Sequence, residues 1–81
     1  MSDIETALVE ELHRIAPEAD LSAIDRDANM REELDIDSMD FLNLVTALHR
    51  RYGIPIPETD YVRLSSVAST VAYLREKTGQ A

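Results

Sequence analysis

The sequence predicts an all-α fold, and three observations support that class. Three segments carry apolar residues three and four positions apart, the spacing of one helix face. The only two glycines, Gly53 and Gly79, each follow such a segment, where a left-handed residue commonly ends a helix. No segment of six or more residues alternates large apolar and polar side chains as a half-buried strand does. At 81 residues, the chain is expected to form a single domain over 1–81.

The first helix is predicted over residues 2–15. Ser2 and Glu5 have the spacing of a capping box, in which each side chain accepts from the backbone N–H of the other residue. Pro17 ends this helix, because the residue before a proline is displaced from the α region. The apolar face is formed by Ile4, Leu8, Leu12 and Ile15.

Residues 17–34 are polar and irregular, with Leu21, Ile24 and Met30 as scattered apolar anchors. The pattern predicts one long ordered loop with a helical turn. Loops of this length are uncommon in small domains and are usually functional.

The second helix is predicted over residues 37–52, beginning at Asp37 or Ser38. Gly53 and the segment Ile54-Pro55-Ile56-Pro57 end it, because a proline cannot continue a helix. A flank of Met39, Leu42 and Thr46 lies outside the buried stripe. That stripe is predicted to contain Phe41, Leu44, Val45, Leu48 and Tyr52.

Two further helices complete the predicted bundle. A short third helix covers residues 59–63, and the last covers residues 66–77. The last helix begins at Ser65 or Ser66, which are suitable capping residues, and ends before Gly79. Val67, Val71 and Leu74 are expected to face inward.

Composition excludes several functions. There are 16 acids against 8 bases, a net charge of −8, which opposes binding to a phosphate backbone and argues against a nucleic-acid partner. No cysteine is present, so the chain has no disulfide and no thiolate of its own. No apolar run approaches the ~20 residues of a membrane span. The first five residues are acidic where a signal peptide is basic, so a cytoplasmic location is expected.

The charge is unevenly distributed. Residues 1–40 hold 13 acids and 3 bases, whereas residues 41–81 hold 3 acids and 5 bases. Such an asymmetry indicates either a surface for a cationic partner or solvated loops rich in acids.

Two candidate sites fail on their own residues. Asp25-x-Asp27-x-Asn29 opens like a calcium loop, but Met30 and Ile36 stand where glycine and a bidentate glutamate are needed. We therefore expect a solvated acidic loop and no metal site.

His13 and His49 are the only candidate bases near neutral pH. Neither stands near a serine in sequence, and no Asp or Glu visibly orients either one. They are expected at the surface, and the chain is expected to have no catalytic residues.

The third candidate is the segment Leu34-Asp35-Ile36-Asp37-Ser38-Met39-Asp40. A serine here is commonly a helix cap, because its hydroxyl satisfies a free N–H of the first turn. An exposed hydroxyl at the amino end of a helix is also where a phosphate group is stabilised.

This segment resembles the Asp-Ser-Leu/Met attachment motif of the acyl carrier proteins. The resemblance includes the amphipathic first helix, the long loop and Leu34 three residues before Asp37. It continues through residues 41–52, the 53–57 break and the final helix, covering essentially the whole chain.

The resemblance implies a small four-helix carrier bundle with a long first loop and a short third helix. Ser38, preceded by Asp37, would carry 4′-phosphopantetheine, transferred from coenzyme A by a separate Mg²⁺-dependent phosphopantetheinyl transferase. The attached arm would supply the thiol that the chain lacks, so the protein would carry acyl groups as thioesters and would not be an enzyme.

The resemblance also implies a docking surface on the second helix. Met39, Leu42 and Thr46 would be its apolar contacts, Asp37 and Asp40 its charges, and Asn43 lies on the same surface. The expected partners are acyl-transferring, ligase or synthase enzymes with basic patches, and a monomer is expected. Charge pairing of this kind chiefly accelerates and orients encounter.

Two departures from the family pattern bear on the pathway. The second helix has Asn43 and a basic end, His49-Arg50-Arg51, where fatty-acid carriers keep acids. This favours a specialised carrier for a dedicated ligase, polyketide-type or lipid-modifying pathway at least as much as a housekeeping one. Asp35 stands where glycine is usual, and if it is accommodated the loop needs no left-handed residue there.

Two alternatives to an acyl carrier remain open. One is an aminoacyl or peptidyl carrier, against which Asp37 argues because glycine is usual before the serine there. The other is an unmodified helical interaction module in which Ser38 is only a cap.

Overall fold

The computed structural model describes residues 3–79 and is helical throughout its regular elements. The all-α class is therefore confirmed, with no strand in this range. The α-helices are α1 (Asp3–Ile15), α2 (Met30–Glu33), α3 (Ser38–Tyr52) and α4 (Val67–Thr78). Two 3₁₀ helices, Leu21–Ala23 and Glu58–Leu64, lie between them.

Helix α1 ends at Ile15, two residues before Pro17. Ile4, Leu8 and Leu12 are buried as the apolar spacing predicts, and Ile15 is half-buried. Ser2 lies outside the described residues, and with it the predicted capping box. Glu11 is also buried on this helix, although its charge gave no reason to expect it there.

The first loop contains more regular structure than the predicted single turn. Asp20 caps the 3₁₀ helix Leu21–Ala23, and Asn29 caps α2 by accepting from two backbone N–H groups. Both helices are too short to show the periodicity of a longer helix, which explains why sequence spacing did not define them.

Backbone hydrogen bonds join the first loop to the start of α4. The Met30 N–H donates to the Ser65 carbonyl at 2.8 Å, and the Ala68 N–H donates to the Arg26 carbonyl at 2.9 Å. Met30 itself is fully buried. The loop that leads to Ser38 is thus fixed to the amino end of α4.

Gly53 and Gly79 end α3 and α4 in the left-handed conformation, with φ of 64° and 72°. Each glycine N–H donates to a carbonyl four residues earlier, which satisfies one of the free carbonyls at the helix end. At the amino end of α4, Ser66 and Ser69 form a reciprocal capping box.

One hydrophobic core joins all four helices, because α1 packs on α3 and α4, and the 3₁₀ helix Glu58–Leu64 packs on α4. Tyr52, predicted in the buried stripe of α3, is only half-buried. No helix within residues 3–79 is long and apolar enough to span a bilayer. The buried core residues are Ile4, Leu8, Leu12, Met30, Ile36, Phe41, Leu44, Val45, Leu48, Ile54, Leu64, Val67, Val71, Tyr73 and Leu74.

Tyr73 holds the 3₁₀ helix Glu58–Leu64 against α4. Its hydroxyl donates to the Asp60 carboxylate at 2.7 Å, while the Arg63 guanidinium lies 4.9 Å from its ring centroid. Burial, followed by the hydrogen bond to Asp60, raises the pKa of Tyr73 to about 12. Arg63 also pairs with Glu76 and lowers the pKa of that carboxyl.

Candidate functional site

Ser38 is the first residue of α3, and its side chain is exposed. The residue that caps the helix is Asp37, whose Oδ1 accepts from the Asp40 N–H at 2.8 Å. The Ser38 hydroxyl is therefore not needed for capping. It lies at the amino end of a 15-residue helix, where the macrodipole favours negative charge.

Asp35 precedes this helix in the left-handed conformation, with φ of 53°, and is the only non-glycine residue with positive φ in the described chain. The expectation that no left-handed residue is needed here was wrong. The turn that joins α2 to α3 brings the Ile36 N–H to the Arg31 carbonyl at 2.9 Å, and this closure uses a left-handed residue at position 35.

Arg31 is the residue of this site that sequence reasoning missed. Its Nη2 donates to Ser38 Oγ at 3.1 Å, and its guanidinium carbon lies 5.1 Å from the centroid of the Phe41 ring. The only sequence signal was a base next to Glu32 and Glu33 in an acidic segment. The contact between Arg31 and Ser38 depends on the turn at Asp35. The spacing of apolar residues in the sequence does not predict this turn.

Ser38 and Arg31 border a surface groove between the start of α3 and the 3₁₀ helix Glu58–Leu64, which we call the α3 groove. Its volume is about 490 Å³. Its wall combines polar side chains with apolar and aromatic ones. The lining residues are Asn29, Arg31, Ser38, Phe41, Leu42, Glu58, Tyr61, Val62, Leu64 and Ser65.

The exposed surface of α3 continues from this groove. Met39 is 69% exposed and Leu42 47% exposed, values that are large for apolar side chains. Asn43, Thr46 and Arg50 are also exposed and follow Met39 at spacings that place them on one helix face. We call Met39, Leu42, Asn43, Thr46 and Arg50 the α3 stripe. The Thr46 hydroxyl donates to the Leu42 carbonyl at 2.9 Å, which leaves its methyl group for apolar contact.

Asp40 does not share the groove with Leu42. It is half-buried and lines the opposite side of α3 with Leu34, Asp35 and Ile15. Together with Asp37, it still gives the amino end of α3 a negative charge.

The basic end of α3 divides into two parts. Arg51 reaches α1, where its Nη2 lies 3.0 Å from Glu10 Oε1 and its Nη1 lies 3.5 Å from the buried Glu11. The hydrogen bond to Glu10 raises the pKa of Arg51. Arg50 is exposed and has no ion pair with any residue between 3 and 79. Arg51 thus joins α3 to α1, whereas the Arg50 side chain faces solvent.

The remaining candidates have local roles. Asp25 Oδ1 accepts from the Asp27 N–H, and Asn29 accepts from two N–H groups of α2, so these oxygens shape turns. His13 and His49 are exposed, and His49 Nδ1 donates to the Ile54 carbonyl. Across residues 3–79, no three His, Asp or Glu side chains are placed to hold a metal ion.

Comparison with known proteins agrees with this geometry. The family model described as a phosphopantetheine attachment site matches residues 3–74. The acyl carrier protein of Campylobacter curvus is 33% identical over 78 residues, covering 96% of this chain and 94% of its own length. That of Campylobacter hominis is 33% identical, with 89% and 85% covered. That of Lactobacillus johnsonii is 38% identical over 56 residues, with 69% and 70% covered. The chain therefore belongs to the acyl carrier protein family, and its prosthetic group is covalently bound 4′-phosphopantetheine.

Proposed function

We propose that Ser38 is the attachment residue and that the protein carries acyl groups as thioesters on its 4′-phosphopantetheine arm. The observation that carries the proposal is the exposed Ser38 hydroxyl at the mouth of the α3 groove, within the matched residues 3–74. Asp37 supplies the helix cap, so modification of Ser38 leaves the cap of α3 intact.

The chemistry of attachment follows from the residues present. A bond forms between Ser38 Oγ and the phosphorus of the pantetheine phosphate, the pyrophosphate link of coenzyme A breaks, and the nucleotide half leaves. The hydroxyl proton passes to the transferase or to solvent. The arm then supplies a thiol to a chain that contains no cysteine. Carrier proteins of this family are generally non-catalytic, and we propose that the chemistry of acyl transfer belongs to the partner enzymes.

Partner docking is proposed on the α3 stripe. Exposed apolar side chains beside an acidic helix end fit an enzyme surface with an apolar patch and a basic rim. Such partners include the transferase itself and acyl-transferring, ligase or synthase enzymes of fatty-acid, polyketide or related lipid biosynthesis. Arg50 lies on the α3 stripe where an acid would be expected, which favours a dedicated partner over a general one. Action as a monomer in the cytoplasm stays a prediction.

The test is attachment itself, measured by intact mass. The protein is incubated with coenzyme A, Mg²⁺ and a broad-specificity phosphopantetheinyl transferase. We expect a gain of one phosphopantetheine unit in the wild type and none in Ser38→Ala. Ser65→Ala is the matched control, since Ser65 is an exposed serine that lines the same groove, and it should gain the full mass.

Three results would contradict the proposal. A wild type that gains no mass with several transferases would favour the unmodified interaction module. A mass gain retained in Ser38→Ala would move the attachment to another residue. Loading of an amino acid by an adenylating enzyme, with no acyl group accepted, would favour the aminoacyl or peptidyl carrier.

A further inference from the structure

Arg31 is held next to the attachment oxygen by two contacts. Its Nη2 donates to Ser38 Oγ at 3.1 Å, and its guanidinium lies over the ring of Phe41, which is buried in the core. A cation over an aromatic ring is attracted by the electrons of its face, and the ring also restricts the side chain to few conformations. Arg31 is therefore positioned before any group is attached to Ser38.

The charge of Arg31 lacks a carboxylate partner. Arg14, Arg26, Arg51 and Arg63 each pair with a glutamate, whereas no carboxylate oxygen between residues 3 and 79 lies within ion-pair distance of Arg31. Glu32 and Glu33 follow it in sequence, yet the guanidinium points to Ser38 instead. A positioned cation without a counter-ion can accept an anion at low cost.

Three carboxylates near Ser38 oppose a further negative charge there, in contrast to the favourable helix dipole. Asp35, Asp37 and Asp40 lie within three residues of it along the chain. A phosphodiester on Ser38 Oγ adds one more negative charge, and like charges at such short range repel. The planar guanidinium forms paired hydrogen bonds with phosphate oxygens, which a lysine cannot reproduce.

We propose that Arg31 is the internal counter-ion of the phosphodiester on Ser38 and holds the base of the arm at the α3 groove. This inference rests on the proposed function and adds a positioning residue to it. When Ser38 Oγ becomes an ester oxygen, the Arg31 donors are available to the oxygens of the phosphate.

The test is a thermodynamic cycle between arm attachment and the Arg31 side chain. Unfolding equilibrium constants are measured for the forms without and with the arm, in the wild type and in Arg31→Gln, at low salt. Effects of the substitution that are common to both forms, such as loss of the Phe41 contact, cancel in the cycle. Attachment is verified by intact mass, so the cycle uses only fully modified protein.

We expect attachment of the arm to raise the unfolding constant more in Arg31→Gln than in the wild type. The coupling, which is the ratio of these two changes, should be roughly two- to five-fold, the range of exposed ion pairs. The coupling should shrink at high salt. Arg31→Lys should retain part of it. In ³¹P NMR, the phosphodiester resonance should shift and narrow in Arg31→Gln, because the base of the arm becomes more mobile.

Arg50→Gln is the matched control. It removes the same charge from an exposed arginine in the last turn of α3, about 18 Å along the helix from Ser38 by the helical rise. Attachment should change the unfolding constant of Arg50→Gln and of the wild type equally, and the phosphorus resonances of the two proteins should match.

The outcomes separate this inference from the proposed function. Complete attachment with no coupling and with identical phosphorus resonances in Arg31→Gln and the wild type would overturn the role of Arg31 alone. Equal coupling in Arg50→Gln would also overturn it, because the effect would then be one of net charge. Failure of the wild type to gain mass would overturn the proposed function and this inference with it.

Discussion

At the scale of the residue, Asp35 shows how the site departs from a relaxed backbone. An L-residue with φ of 53° is strained by contact between its Cβ and the backbone, and aspartate tolerates this better than most. The family's usual glycine avoids that strain but loses more conformational entropy on folding.

We expect Asp35→Gly to raise the free energy of unfolding by up to about 1 kcal/mol and Asp35→Val to lower it by at least about 1 kcal/mol. Asp35→Asn is the matched control and should change it little, since asparagine also tolerates this conformation. Urea unfolding at neutral pH measures all three. A valine variant as stable as the glycine variant would contradict a left-handed residue at position 35.

Ionisation of Tyr73 is expected to lower the free energy of unfolding at alkaline pH. Its pKa in the folded chain, about 12, is higher than the ordinary value near 10, so loss of its proton favours unfolding. The stabilisation from this hydroxyl is complete below pH 10 and is lost as the pH rises through 12. We expect the stability difference between the wild type and Tyr73→Phe to fall over that interval.

Absorbance titration provides the direct check on Tyr73. The difference between the wild type and Tyr73→Phe should show one tyrosinate forming near pH 12, while circular dichroism at pH 8 verifies that both proteins are folded. A difference titration centred at pH 10 would contradict the buried hydrogen bond to Asp60.

At the scale of the element, α3 combines a site at its first turn with an anchor at its last. Arg51 pairs with Glu10 and with the buried Glu11, so a glutamate at position 51 would place like charges against α1. Arg50, one residue earlier, lies on the α3 stripe instead.

We expect Arg51→Glu to lower the free energy of unfolding, because it breaks both ion pairs with α1, while Arg50→Glu leaves it nearly unchanged. Thermal and urea unfolding measure both. The same pair separates stability from partner choice, because only Arg50→Glu should change acceptance by a general acyl transferase. Equal destabilisation by the two variants would contradict a specific role for Arg51.

The elements also show which structure the sequence could predict. Helices α3 and α4 follow from caps, apolar spacing and the two terminating glycines, each a local signal. Helix α2 has four residues and depends on Met30 entering a core made by distant helices. The buried positions of Glu11 and Tyr73 were missed for the same reason, since their partners Arg51 and Asp60 lie far away in the sequence.

At the scale of the whole molecule, the structure shows where part of the uneven charge of the sequence lies. Asp35, Asp37 and Asp40 collect at one end of α3, while part of the positive charge of the second half is used internally, by Arg51 on α1 and Arg63 on Glu76. Ser38, the proposed attachment residue, could be predicted from a motif. Its neighbour Arg31 could not, because their contact depends on how the loop folds back.

We expect Asp40→Asn to slow association with a basic partner enzyme at low salt, because the charge at this end of α3 attracts and orients the partner. The loss should shrink in high salt. Asp25→Asn is the matched control: it removes the same charge from the first loop, and asparagine can still accept from the Asp27 N–H. Stopped-flow association rates measure the effect, and equal slowing by both variants would assign it to net charge alone.

The two hydrogen bonds between the first loop and the start of α4 have a consequence for sequence divergence. Both join backbone to backbone, from Met30 to Ser65 and from Ala68 to Arg26, so they require no particular side chain. Only proline at position 30 or 68 would remove a donor. Mutation can therefore replace the loop's polar side chains, and with them the surface shown to partners, while the serine keeps its place.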